Sequence, residues 1–215
     1  MKEPNEVLVL ESNTIKFYDE TDYNFDSTDN SNRYDKIFLN ADKDVLTSLL
    51  GIKLFEDSIL ISSCLIGSDG GGTIINGNTT LISYGGVVVC CSNTVFKLTI
   101  PDLNLEWKSK ADSATCIGIH YLDQDYVVHG EMEITRLDKN GEIVWQQSGR
   151  DIWTTPEGID DFAIYDNCIL VTGWDYYRYS FDFDGNLLEE YKIDPKSNQV
   201  TEEKRGLRKW WKFWS

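Results

Sequence analysis

The chain has 215 residues, 36 acidic and 20 basic side chains and a formal charge of −16. A body that negative repels phosphates, which argues against nucleic-acid binding, and it speeds encounter with basic partners. No charged-then-apolar leader follows Met1 and no long apolar run occurs, so a standard signal peptide and a membrane span are not expected, and the expected location is cytoplasmic.

Residues 7–10 and 14–18 read as strands around a Ser12-Asn13 turn. The stretch 19–32 holds Asp19, Glu20, Asp22, Asp26 and Asp29 without a base until Arg33. Asp, Asn and Ser favour turns over ladders, so it reads as a loop and as a contact for a cationic partner. Its spacing fits no calcium loop, because the glycine is missing. Lys36–Leu39 is a further strand. Asp42 then caps an expected helix over 43–50, with Val45, Leu46, Leu49 and Leu50 on one side and Gly51 ending it.

Gly67-Ser-Asp-Gly-Gly-Gly-Thr73 lacks the Gly-Lys-Ser/Thr of a phosphate loop and reads as a connection between units. Four of the five cysteines (Cys64, Cys90, Cys91, Cys116 and Cys168) lie in apolar runs, as buried, reduced thiols of a cytosolic protein would.

Three passages then follow one order of events. An apolar triplet begins at Val87, at Tyr126 and at Ile169; an alternating strand follows, then a turn and another strand. The triplets lie 39 and 43 residues apart, and Ile59-Leu60-Ile61, 28 residues before Val87, reads as a fourth copy. A period near 40 residues with several strands per unit marks radial β-repeats, in which neighbouring sheets cover each other's faces. The expected fold is therefore all-β, a small or incomplete propeller-like stack of antiparallel units near 55–84, 85–122, 123–164 and 165–195, within one domain spanning 1–203. A two-sheet β-sandwich is the alternative.

Leu137-Asp138 followed by Gly141-Glu142-Ile143-Val144-Trp145 resembles the tryptophan-bearing repeat of quinoprotein-like (PQQ-dehydrogenase-like) β-propellers. Asn104-Leu105-Glu106-Trp107 matches less fully, and the unit at 182–189 has no tryptophan. The resemblance implies a blade and not an activity. Cys90-Cys91 is similar to the vicinal pair of quinoprotein dehydrogenases, but those enzymes are exported and several-fold longer, so no cofactor is expected. Around His129-Gly130-Glu131 and Gly149-Arg150-Asp151-Ile152 the chain is similar to uncharacterised bacterial cytoplasmic proteins associated with toxin-immunity clusters, which implies an immunity role.

Functional candidates fall into three groups. Arg150, Asp151, Trp153, Trp174 and Asp175 join the acidic loop as partner-binding residues, because Trp, Tyr and Arg dominate interface hot spots. His129, Glu131 and Asp151 are the residues to test if the protein is a hydrolase or lyase with a site at the blade ends; a His120–Glu131 pair is a variant of that idea. No zinc spacing occurs, and no metal is expected. The tail 204–215 carries five bases and no acid; removing those five charges from −16 leaves −21 on residues 1–203. On a helix, Leu207, Trp210, Trp211 and Trp214 form one stripe, with Arg208, Lys209 and Lys212 opposite. Such a segment docks on the acidic body, on an anionic membrane surface as a peripheral adaptor, or in a partner groove. The expected function is a non-catalytic protein-binding module, best expressed as an immunity protein for a cationic toxin domain.

Overall fold

Turn residues punctuate this sequence every few positions, and short apolar or alternating runs between them become strands. The computed structural model describes residues 2–158, 161–196 and 200–204. Sheet one contains β1 (Glu6–Leu10), β2 (Asn13–Asp19), β3 (Lys36–Leu39), β4 (Ser48–Glu56) and β5 (Ile59–Ser68), in the order β1-β2-β4-β5-β3. β3 runs parallel to β5; the other pairs are antiparallel. Sheet two is a meander of β6 (Thr80–Ser83), β7 (Gly86–Cys91), β8 (Thr94–Thr99) and β9 (Leu105–Lys110). Sheet three repeats it with β10 (Cys116–Leu122), β11 (Asp125–Gly130), β12 (Glu133–Leu137) and β13 (Ile143–Ser148). Sheet four adds β14 (Phe162–Ile164), β15 (Ile169–Thr172), β16 (Tyr177–Phe181), β17 (Leu187–Ile193) and β18 (Val200–Lys204). The protein is all-β, with successive sheets built like propeller blades. No helix among the described residues is long and apolar enough to cross a membrane.

The chain divides into two compact units, residues 1–131 with 135–144 and residues 132–134 with 145–215. In the first, one strand shows why sheets of this kind stack. On β7, Val87, Val89 and Cys91 enter a core with Phe17, Ile52 and Ile66 of sheet one. The intervening Val88 and Cys90 enter a second core with Ile119, Tyr126 and Val128 of sheet three. A strand buried on both faces has no polar side to alternate with, hence the unbroken Val-Val-Val-Cys-Cys.

The triplets at Val87, Tyr126 and Ile169 each occupy the second strand of their sheet. Ile59-Leu60-Ile61 does not belong with them. It opens β5 at 67%, 47% and 44% exposure, and the strand is buried only from Ser62 to Ser68, with Cys64-Leu65-Ile66 as its buried apolar residues.

The expected helix over 43–50 is also corrected. Only a single 3-10 turn forms at Lys43–Val45, without a side-chain bond from Asp42, and Leu49, Leu50 and Gly51 lie inside β4. Both edges of β4 are paired, with β2 and with β5, and that ladder outweighs the helical spacing of four short apolar positions. Gly51, paired with Tyr18 and Leu65, is a strand residue rather than a helix end, and it lacks a side chain because the Tyr34 ring fills that space. The expected amphipathic helix of the tail lies outside the described residues beyond Lys204, which ends β18.

Two tryptophans mark the repeat at atomic detail. Trp107 on β9 donates from Nε1 to the Lys139 carbonyl (3.1 Å), over a turn whose Gly141 has φ +83°. Trp145 on β13 donates to the Phe183 carbonyl (2.8 Å), over a turn whose Gly185 has φ +82°. Each turn is closed alike: Asp138 Oδ1 accepts from the amides of Asn140 and Glu142, and Asp182 Oδ1 from those of Asp184 and Asn186.

Candidate functional site

The acidic loop between β2 and β3 is held in place by its own short polar side chains. Asp19 Oδ1 accepts from Thr21 N (3.0 Å) and Thr21 Oγ1 (2.7 Å). Burial pushes the Asp19 carboxyl up, but the Thr21 bonds and the nearby Lys2 outweigh it and hold it below the usual carboxylate value. Further along, Asn30 Oδ1 accepts from Asn24 N (2.9 Å), while Asn30 Nδ2 donates to the Asn24 carbonyl (2.7 Å). Asn24 Oδ1 and Ser27 Oγ accept the amides of Asp26 and Asp29. These are turn-mimicking bonds that Asn, Asp and Ser make cheaply.

Glu20 anchors the loop from beneath. It is 4% exposed, and its Oε1 accepts from Asn32 Nδ2 (2.6 Å) and Tyr34 OH (2.7 Å). Lys53 Nζ on β4 donates to Asn32 Oδ1 (2.6 Å) and lies 5.3 and 5.5 Å from the Tyr18 and Tyr34 ring centres. Desolvation pulls the Lys53 ammonium down, opposed by Glu20. Burial and the Glu20 bond push the Tyr34 phenol far up, so it stays a donor. At the far end Ser63 Oγ donates to Asp35 Oδ2 (2.7 Å). Of the five acids singled out, Asp22, Asp26 and Asp29 point to solvent, Asp19 is exposed but turned onto Thr21, and Glu20 is an internal anchor. Asn32, Tyr34 and Lys53 were not foreseen, because their partners lie 12 to 21 residues away in sequence.

The second group lies in the other unit. Arg150 Nε pairs with Glu190 Oε1 at 2.8 Å, and its guanidinium sits 4.3 Å from the Tyr177 ring centre. Asp151 is exposed and caps its neighbour's amide; Asp175 Oδ1 accepts the Tyr177 amide (3.1 Å). Trp174 is 46% exposed and available to a partner. Trp153 is fully buried, edge-on to Tyr179 at 4.9 Å and to Phe181 at 6.3 Å, so it serves the core and presents no surface.

The proposed acid–base residues are not gathered into one place by a single unit. His129 on β11 is 4% exposed and stands opposite Gly118 of β10. His120, two residues along the same face, leans back over Gly118. Burial, with His129 adding, brings His120 down to about 4, so it is neutral at pH 7. The Glu131 amide donates to the Thr115 carbonyl, and Asp151 belongs to the other unit. Among the described residues no group of three or more His, Cys, Asp and Glu side chains could hold a metal. The tail residues Arg208, Lys209, Trp210, Trp211, Lys212 and Trp214 lie outside the described residues.

No family and no curated protein matches the sequence. Among solved structures, the chain is similar to BamB from Moraxella catarrhalis, with 14% identity over 88% of this chain and 61% of that one and a TM-score of 0.49. It is similar to the designed Ika8 protein, with 14% identity, 70% and 47% coverage and a TM-score of 0.47. The WD40 domain of Neurospora crassa Pan2 aligns at 12% identity, 59% and 49% coverage and a TM-score of 0.42. The chain therefore spans about half the length of the last two structures.

Proposed function

We propose that the protein is a non-catalytic binding module that captures a cationic protein partner on the 20–35 loop. The supporting observation is the division of labour within that loop. Glu20 is buried on Asn32 and Tyr34, while Asp22, Asp26 and Asp29 stand exposed on a turn network that is already formed. A preorganised loop loses little entropy on binding, and its exposed acids are part of a chain whose net charge is −16. An immunity protein occupying a basic toxin domain is the concrete form of this role.

The test is a binding isotherm with the partner recovered by cross-linking from the source cells. Wild type is compared with Asp22→Asn/Asp26→Asn/Asp29→Asn at low and physiological salt. The triple variant should bind at least tenfold more weakly and show a flatter salt dependence. Equal affinity, or a partner without a basic surface, would refute the reading.

A further inference from the structure

The two faces of sheet four are not alike. Tyr177, Tyr179 and Phe181 project to one side, the last two against Trp153. On the other side the register sets Ala163, Leu170, Ser180 and Glu189 in a row across β14 to β17. The short Ser180 side chain, flanked by Leu170 and Glu189, forms the floor of a shallow cavity of about 530 Å³. The β14–β15 hairpin at 164–168 makes its wall and contributes Asp166 and Cys168. Two acids and no base line it. Arg178, in the next row of that face, is buried, donates from Nε to Thr172 Oγ1 (3.0 Å) and does not line the cavity.

We propose that residues 205–215 of the same chain dock in this trough. The segment starts where β18 ends, at Lys204 paired with Glu190 on the edge of the same sheet. Three strand spacings, about 14 Å, separate β18 from Leu170 on β15. Eleven residues reach roughly 36 Å extended or about 16 Å as a helix, so either form spans the distance. The chemistry also fits. Leu207, Trp210, Trp211, Phe213 and Trp214 suit the floor beside Leu170, and Arg205, Arg208, Lys209 and Lys212 suit Asp166 and Glu189. Covalent attachment makes the encounter intramolecular, with an effective concentration on the order of millimolar.

Cys168 is the reporter. It lines the trough and is half-buried, whereas Cys64, Cys90, Cys91 and Cys116 are at most 2% exposed. With neutral iodoacetamide, a chain ending at Lys204 should be alkylated at Cys168 at least fivefold faster than the full chain. A synthetic 205–215 peptide should slow the truncated chain again. In the full chain, Arg208→Glu/Lys209→Glu/Lys212→Glu, which leaves the groups around Cys168 unchanged, should raise the rate to that of the truncation. If the truncation is unfolded, all five thiols react, and the full-length tail variant then decides alone. Equal rates in full and truncated chains overturn the proposal. So does protection that grows with protein concentration, the mark of a second copy, or protection seen only with vesicles containing phosphatidylserine.

Discussion

The indole of Trp107 occupies the space that a side chain at residue 141 would need: a Cβ on Gly141 would stand 2.5 Å from the ring. Gly185 stands in the same relation to Trp145, at 2.7 Å. In both cases the backbone is left-handed, so the glycine meets two demands at once. Gly85 separates them, for its φ is +74° with nothing within 4 Å of its Cβ position. Gly85→Ala should cost about 1 kcal/mol from backbone strain alone. Gly141→Ala and Gly185→Ala should each cost about 2 kcal/mol more, because the ring must move off its carbonyl bond. Urea unfolding of the three variants measures the difference, and equal losses would show that the tryptophans do not depend on these turns.

Adjacent valines on β7 should be equally intolerant of truncation although they face opposite ways. Val88→Ala and Val89→Ala each remove buried methyls from a different core and should cost about 2 kcal/mol. Ile59→Ala and Ile61→Ala, at exposed positions of β5, should cost well under about 1 kcal/mol. Comparable losses at all four positions would contradict the assignment of buried and exposed triplets.

Removing the Glu20 carboxylate strands two donors and takes a compensating charge from a nearby ammonium. Glu20→Ala leaves Asn32 Nδ2 and Tyr34 OH without their acceptor and Lys53 without the charge that offsets its desolvation, at a cost of about 3 kcal/mol. Hydrogen exchange should accelerate across 21–33 while β7 stays protected. Unchanged exchange in that loop would mean that Glu20 does not anchor it.

Acid should weaken the fold through His120. Its folded value of about 4 lies below the ordinary 6.5, so between those limits the unfolded chain holds a proton that the folded chain has shed. Stability contributed by neutral His120 is thus complete above about 6.5 and is lost as pH falls towards 4, by at most about 3 kcal/mol. His120→Gln should flatten the decline in urea midpoint between pH 7 and pH 5. An identical decline in the variant would assign the effect to other groups.

Local chemistry determined a good deal of this molecule without help from its fold. The 39- and 43-residue spacings placed three triplets on equivalent strands, and Asp138-Lys-Asn-Gly141 closed as its turn residues require. The loop character of 20–32 and the hairpin of β1 and β2 were equally legible, since Asn, Asp, Ser and Gly encode turns within a few residues, although the turn falls at Glu11-Ser12 and Asn13 opens β2. Tertiary structure alone decided the rest. Leu49 and Leu50 became strand because β2 and β5 were there to pair with them, and Glu20 became an anchor because Tyr34 and Asn32 folded over it. Trp153 was assigned to the core rather than to a surface by Tyr179 and Phe181, 26 and 28 residues later. Turns are set by covalent neighbours, whereas burial and strand pairing are set by groups far away in the chain, whose positions no local pattern carries.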